Sequence, residues 1–385
     1  MHKSIVLLLL ATLLAACGGA TSTTPIGQIS AIEALGSANT AGFARATAPR
    51  QFVFPQDHGP HQQFAAEWWY YTGNLATAGG RHFGFQLTFF RVGMSPQPPA
   101  RASDWAASNI YMAHFALSDV AGKQFYAFDR FSRDAAGLAG AQGDPFRVWL
   151  EGWSAEGAER ALPMRLRAGQ GDAAIDLTLG AGKPPVLQGD RGLSQKSAAP
   201  GSASYYYSLT RMPTHGTVRV GSASFEVTGL SWMDREWSTN SLGPDIAGWD
   251  WFALQLDDGR ELMYYQLRDQ SGAPTPFSSG ALIAADGSVS PIARDDMTLT
   301  VLNSWASPHS GGSYPAGWHV QIPSQSVDLT VTPYLADQEL QLATVYWEGA
   351  VQISGSSAGR PASGNGYVEL TGYAEQQAQD AIRMR

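Results

Sequence analysis

Residues 230–237, Leu-Ser-Trp-Met-Asp-Arg-Glu-Trp, interleave apolar bulk and charge more tightly than any other stretch of the chain. In an extended strand successive side chains point to opposite faces, so Trp232, Asp234 and Glu236 share one face and Met233, Arg235 and Trp237 the other. Two carboxylates then sit side by side on one wall, roughly 6 to 7 Å apart at a rise of about 3.3 Å per residue. In a low-dielectric site such a pair resists losing both protons, which would leave one of them a neutral acid near pH 7. The plainer alternative is two solvated or salt-bridged carboxylates, satisfied by Arg235 or by a turn, but the tryptophans on either side make this strand less ordinary. Chemistry that begins by protonating an apolar molecule needs a strong general acid, aromatic faces to stabilise the cation that forms and a base to take up a proton. Asp234 or Glu236 can supply the acid, and Trp232, Trp237, Trp249 or Trp251 the faces.

Other groups are candidates with alternatives attached. Glu67 stands immediately before Trp68 and Trp69, where it either reaches a cavity as a further acid or pairs with Arg91 or Arg81. Glu348 and Glu369 fall in late strands, and an ion pair with an arginine such as Arg268 is the simpler expectation for them. His58 and His61, with Asp57 beside them, and His114 on a strand offer nitrogen and oxygen donors, but the spacing is loose and Pro60 breaks any helix that would align the first two. They read as loop histidines and a hydrogen-bonded barrel histidine, so neither a metal nor a cofactor is expected. Hydrolysis would need a nucleophile, a base and an oxyanion hole. The chain has no Gly-x-Ser-x-Gly elbow, and Ser231 or Ser238 beside acidic residues makes no triad.

The elements that must position these groups are strands. Charged residues are only 15% of the chain and aromatics 11%, with 42 Gly and 22 Pro, a balance that suits short strands and tight turns. Residues 82–91 place Phe83, Phe85, Leu87 and Phe89 opposite Gly84, Gln86 and Thr88, and residues 111–117 alternate in the same way. Further strands are predicted at 147–151, 175–179, 205–209, 217–220 and 224–228. An aromatic hairpin at 69–87 is echoed at 251–267, each leading to an aromatic-Gln-Leu strand through Gln86 and Gln266. Two related antiparallel barrels in tandem would produce that echo, the first over residues 51–240 and the second over 241–385. Matching hairpins could also arise without duplication.

Residues 1–16 open with His2 and Lys3 and continue into an apolar run too short to span a bilayer comfortably, as in an export signal. The signal ends at Leu14-Ala15-Ala16-Cys17, which is similar to a bacterial lipobox, and Cys17 is the only cysteine. A lone thiol sent to an oxidising compartment has no disulfide to make, so lipidation at Cys17 is its expected task. Gly18 follows, and the absence of Asp there fits outer-membrane or cell-surface anchoring. Residues 17–50, rich in Ala, Gly, Ser and Thr, are expected to be anchor and flexible tether, with at most a short helix over 26–35. The formal net charge of -8, with no basic run, argues against nucleic acid as a partner.

The ordered set Phe54-Pro55, Asp57-His58-Gly59, Glu67-Trp68-Trp69-Tyr70, residues 85–91 and 113–117, residues 232–237, Gly248-Trp249-Asp250-Trp251-Phe252, Tyr346-Trp347-Glu348-Gly349 and residues 366–373 resembles the lipocalin-like group of carotenoid hydratases and AttH-like proteins, often labelled predicted secreted hydrolases. The resemblance implies an all-β fold of two tandem lipocalin-like barrels with an apolar ligand in or between them. Characterised members add water to an isolated double bond, and more distant ones promote cyclisation of polyenes. Asp234, Glu236 and Glu67 are the catalytic candidates, and Trp68, Trp69, Gln86, His114, Trp232, Trp237, Trp249, Trp251 and Gln266 the ligand-binding ones. Two functions stay open. A membrane-tethered binding protein for a lipid- or isoprenoid-like ligand, with a transport system as a further candidate partner, asks less of the residues. An enzyme of acid-assisted hydration or cyclisation requires the acids to face the cavity.

Overall fold

The computed structural model describes residues 40–97, 103–239, 242–243 and 245–374; the signal, Cys17 and the 26–35 segment lie outside the described residues. The described chain is all-β and forms two antiparallel sheets. The first is built from β1 (Ala66–Ala76), β2 (His82–Gly93), β3 (Asn109–Asp119), β4 (Gln124–Arg133), β5 (Ala139–Gly143), β6 (Phe146–Leu150), β7 (Trp153–Gly157), β8 (Met164–Gln170), β9 (Ala173–Leu179), β10 (Val186–Leu187), β11 (Leu193–Gln195), β12 (Ala203–Val220) and β13 (Ala223–Ser238). The second is built from β14 (Ile246–Leu256), β15 (Glu261–Asp269), β16 (Ser279–Ile283), β17 (Val289–Ala293), β18 (Thr298–Ala306), β19 (Ser313–Ile322), β20 (Val327–Pro333), β21 (Glu339–Gln341), β22 (Val345–Ser357) and β23 (Arg360–Leu370).

The two sheets share one plan. The first runs β4-β3-β2-β1-β13-β12-β9-β8-β7-β6-β5 and the second β17-β16-β15-β14-β23-β22-β20-β19-β18, so in each the first strand pairs with the last. In each, too, the two edge strands are consecutive in the chain, joined only by residues 134–138 in the first and 294–297 in the second. A connection that short can span the edges only if the sheet rolls up, which makes both sheets barrel-like. The echoed hairpins are β1–β2 and β14–β15, at the same place in each plan.

Burial along the strands tells which faces are covered. β8 and β9 alternate buried and open residues, with one face on the core and one in solvent. β1, β3 and the latter half of β13 are buried almost throughout. Their inner face, with Trp69, Tyr71, Phe115, Met233 and Trp237, fills the first barrel, while the second barrel covers their outer face. The layer between barrels contains Tyr70, Tyr206, Trp232, Trp251, Met263, Tyr265, Leu267 and Ala350. Fully burying an apolar side chain of this size contributes roughly 1.5–3 kcal/mol. At Gly84 the barrels come so close that Ala350 leaves no room for a Cβ. Polar clamps cross the same layer: Asn74 Nδ2 donates to the Gly366 carbonyl at 3.0 Å, Ser118 Oγ to Gln338 Oε1 at 2.6 Å, and buried Glu261 takes both Lys183 Nζ at 2.7 Å and Arg211.

Two sequence expectations change here. The separate strands at 205–209 and 217–220 are one long strand, β12, because a register shift between Leu209 and Met212 absorbs the irregularity ahead of Pro213. The end of the expected tether is packed rather than free: Phe43 and Ala46 are buried, Ala44 N–H donates to the Gln63 carbonyl at 2.8 Å, and Tyr205 O–H to the Ala48 carbonyl at 2.8 Å. A buried aromatic residue and the hydrogen bonds at Ala44 and Ala48 give this part of the segment enough contact to repay its ordering.

Candidate active site

A cavity of about 110 Å³ opens between the barrels. The first barrel contributes Trp68 and Tyr70 from β1, Thr88 and Phe90 from β2, Met112 and His114 from β3, Tyr206 from β12, and Asp234 and Glu236 from β13. The second contributes Trp249 and Trp251 from β14, Tyr265 and Leu267 from β15, Tyr346 and Glu348 from β22, and Glu369 from β23. Strand alternation explains the selection, since every first-barrel strand residue in this set lies on the outer face of its strand.

Asp234 Oδ2 accepts from Tyr206 O–H at 2.5 Å, and Oδ1 accepts from Ser208 Oγ at 2.5 Å and Trp232 Nε1 at 2.7 Å. Burial pushes its carboxyl up to about 7, against the pull of those three donors and with the charge of Glu236 adding to the rise. Glu236 lies 3.6 Å from Lys196 Nζ, which sits 3.8 Å from the centre of the Tyr265 ring. Burial works against the Lys196 ammonium, but Glu236 and Tyr265 outweigh it and keep it charged.

The second barrel supplies two more acids. Glu348 and Glu369 are direct cross-strand partners on β22 and β23. Glu348 accepts from Tyr70 O–H at 2.6 Å, and burial, followed by the charge of Glu369, raises its carboxyl well above the ordinary range. Glu369 keeps part of its surface open, and burial pushes it up to about 8 against a hydrogen bond from Trp249, with Asp234 and Glu236 adding to the rise. His114 Nδ1 is 2.8 Å from Tyr346 Oη, and burial lowers the imidazole to about 4, so it is neutral at pH 7. The cavity thus holds acids that keep protons at neutral pH beside the faces of Trp68, Trp249 and Trp251. That set can give a proton to an apolar molecule and stabilise the cation that results.

The AttH-like family matches residues 45–373. The chain belongs to the AttH-like family. A crystal structure of a Nitrosomonas europaea protein assigned as an AttH is 34% identical, covers 86% of this chain and 100% of its own, and superposes with a TM-score of 0.76. Kievitone hydratase of Nectria haematococca (15% identity, 86% of this chain and 96% of that one, TM-score 0.65) and CghA with Sch210972 (14%, 86% and 97%, 0.51) share the fold. A search of the curated proteins found no match.

In this AttH-like chain several residues singled out from sequence lie away from the cavity. Glu67 is on the inner face of β1, fully buried, with Arg91 and Arg235 bound to its two oxygens; Arg81 pairs instead with Asp119. Burial alone would raise Glu67, but the two guanidiniums overcome it and hold its carboxyl well below the usual range. Trp69 and Trp237 face the same interior: Trp69 Nε1 donates to the His58 carbonyl at 2.8 Å, and Trp237 stacks on His61 with centroids 3.7 Å apart. Gln86 bonds Thr88 Oγ1 at 2.5 Å and Gln266 bonds Asp250 Oδ2 at 3.3 Å; neither lines the cavity. Trp232 stands behind the wall as a donor to Asp234.

The histidines expected in a surface loop are buried: His58 Nδ1 is 2.6 Å from Tyr207 Oη, and His61 Nε2 is 2.9 Å from Asp57 Oδ1. Among the described residues no group of three or more His, Cys, Asp or Glu could hold a metal ion. Arg268, expected as partner to Glu348 or Glu369, instead pairs with Asp250 at 3.1 Å, so the two glutamates were missed as site residues. A signal for Glu348 was present. Alternation places it with Tyr346 and Ala350 on one face and Trp347 and Val351 on the other, so an acid sits in a strand with apolar residues on both sides.

Proposed function

We propose that this AttH-like protein is a hydratase-type enzyme that adds water across a carbon–carbon double bond of an apolar, isoprenoid- or polyene-like substrate bound between the barrels. The observation that carries the reading is a group of buried carboxyls whose proton affinities are raised and split, Glu348 and Glu369 holding protons at neutral pH and Asp234 poised near 7 to accept one, set among tryptophan faces. A carrier needs the aromatic lining but gains nothing from burying acids at a cost in stability, so the binding-only expectation is set aside. Two proteins that share the fold support the reading, one a kievitone hydratase and the other, CghA, solved with Sch210972.

In the proposed reaction Glu369 donates its carboxyl proton to one alkene carbon, and the π pair forms the new C–H bond. The other carbon becomes a carbocation held against Trp249 and Trp251. Water attacks it and passes its extra proton to Asp234, whose three donors favour the anion until that moment. Return of the proton from Asp234 to Glu369 closes the cycle. The assignment needs Asp234 ionised and Glu369 protonated, so the rate should rise with pH through about 7 and fall through about 8. Incubation with isoprenoid and polyene hydrocarbons in oxygen-18 water, read by mass spectrometry, tests it. Asp234→Asn should lower the rate by about 10²-fold or more and remove the acid limb of the profile. A rate flat from pH 5 to 9, or an Asp234→Asn enzyme as fast as wild type, would sink the assignment.

We also propose export and lipid anchoring through Cys17, supported by the lipobox-like residues 14–17. Cys17→Ser should move the protein from the membrane to the soluble fraction. Retention of that variant on membranes after a high-salt wash would remove the anchor.

A further inference from the structure

The cavity is small for the ligand its lining suits. At about 110 Å³ it is well below the about 300–1,000 Å³ of pockets that enclose whole drug-sized ligands. A long apolar substrate must continue outside it. The sheet register shows where. Glu236 on β13 faces Trp68 on β1, Trp68 faces Phe90 on β2, Phe90 faces Met112 on β3, and Met112 faces Phe131 on β4. Directly opposed residues in an antiparallel pair project from the same face of the sheet, so these five form one unbroken row. At a strand spacing of about 4.8 Å the four steps span roughly 19 Å.

The near end of the row lies in the cavity, whose walls include Glu236, Trp68, Phe90 and Met112. Its far end is in solvent: Phe131 is 49% exposed, and Ile110, two residues before Met112 on the same face of β3, is 41% exposed. The cover supplied by the second barrel stops just short of them. Its 342–344 connection is fastened to β4 at Asp129, where Oδ2 accepts the Ala343 N–H at 3.1 Å, and Phe131 is the next residue on that face of β4. Exposed apolar side chains that continue a ligand cavity without a break are suited to the part of the ligand the cavity cannot hold.

We propose that Met112, Ile110 and Phe131 form a second binding subsite, an apolar track that takes the tail of a linear hydrocarbon chain whose reacting end sits among the acids. This rests on the reading of the cavity as the substrate site. The track selects for chain length, because only a ligand long enough to leave the cavity gains from it.

The test is calorimetric titration of the full protein with 1-hexanol, 1-nonanol and 1-dodecanol, in wild type, Phe131→Asp and Ile110→Asn. Both replaced side chains are exposed, so neither change disturbs a core. For wild type, affinity should climb steeply along the series. For both variants, 1-hexanol should bind as in wild type, and 1-dodecanol should lose tenfold or more. Equal affinity of wild type and variants for 1-dodecanol, or an equal loss for all three alcohols, would overturn the track while leaving the cavity reading in place. If no alcohol binds wild type, the cavity reading fails and the track with it.

Discussion

Glu369→Gln should abolish turnover and, at pH 8, make the protein more stable than wild type. Glutamine copies the shape of the neutral acid but has no proton to give, so the loss expected for a missing general acid is about 10²–10⁴-fold. The gain in stability follows from linkage. In the folded protein Glu369 is pushed from 4.5 up to about 8, so the unfolded chain gives up this proton more readily than the native one. A carboxyl raised in this way contributes stability that is complete below its unfolded value of 4.5 and is lost as pH climbs through its folded value. At 1.36 kcal/mol per unit the full shift would correspond to about 5 kcal/mol. Glu369 is partly open to the cavity, where solvent screens its charge, so roughly 2 kcal/mol is the expectation, a rise of a few degrees in Tm. Urea unfolding of both proteins at pH 4 and pH 8 separates the effects. The advantage of the variant should be clear at pH 8 and close to nil at pH 4; an advantage of the same size at both, or an undiminished rate, would remove Glu369 from the acid role.

The trade between stability and function marks what the sequence could and could not disclose. Alternation along residues 230–237 separates Asp234 and Glu236 from Arg235, and the structure has them on opposite sides of the first sheet, with the acids in the cavity and Arg235 on Glu67. The same parity sets Trp237 with Arg235 rather than with Trp232, and Trp69 opposite Trp68, so placing Trp68, Trp69, Trp232 and Trp237 together on a cavity wall runs against it. What parity cannot supply is the partner of each outer face. Glu348 and Glu369 meet only through the β22–β23 register, and they become site residues only because that pair docks on Tyr70 of the other barrel. Long-range docking of two rolled sheets has no local signature. The echo between residues 69–87 and 251–267 was legible because each hairpin opens its own sheet and obeys its own turn chemistry.

Glu67→Gln should give the opposite result to Glu369→Gln: a heavy loss of stability with the rate per folded molecule unchanged. Glu67 is fully buried between Arg91 and Arg235, which are themselves fully buried, and its Oε2 also accepts the His61 N–H at 2.9 Å. Removing its charge leaves two guanidiniums in the barrel with only neutral partners at that end, and breaking a buried pair of this kind costs about 3–5 kcal/mol. That is a large part of the about 5–15 kcal/mol by which folded proteins are held. The pH dependence also reverses. Because Arg91 and Arg235 depress the Glu67 carboxyl in the folded state, its contribution is present above the unfolded value of 4.5 and is lost as pH falls through the folded one. The deficit of the variant should therefore be widest at neutral pH and shrink in acid. Arg235→Met alone should also destabilise, since it leaves Glu67 with one cation fewer, while the pair Glu67→Gln and Arg235→Met should cost less than the two single changes added together, the mark of a direct interaction. If Glu67→Gln instead keeps the urea midpoint and loses 10²-fold in rate, its carboxyl reaches the reacting atoms after all. The geometry is against that outcome, because Glu67 and Trp68 are neighbours on β1 that point to opposite faces, and only Trp68 looks into the cavity.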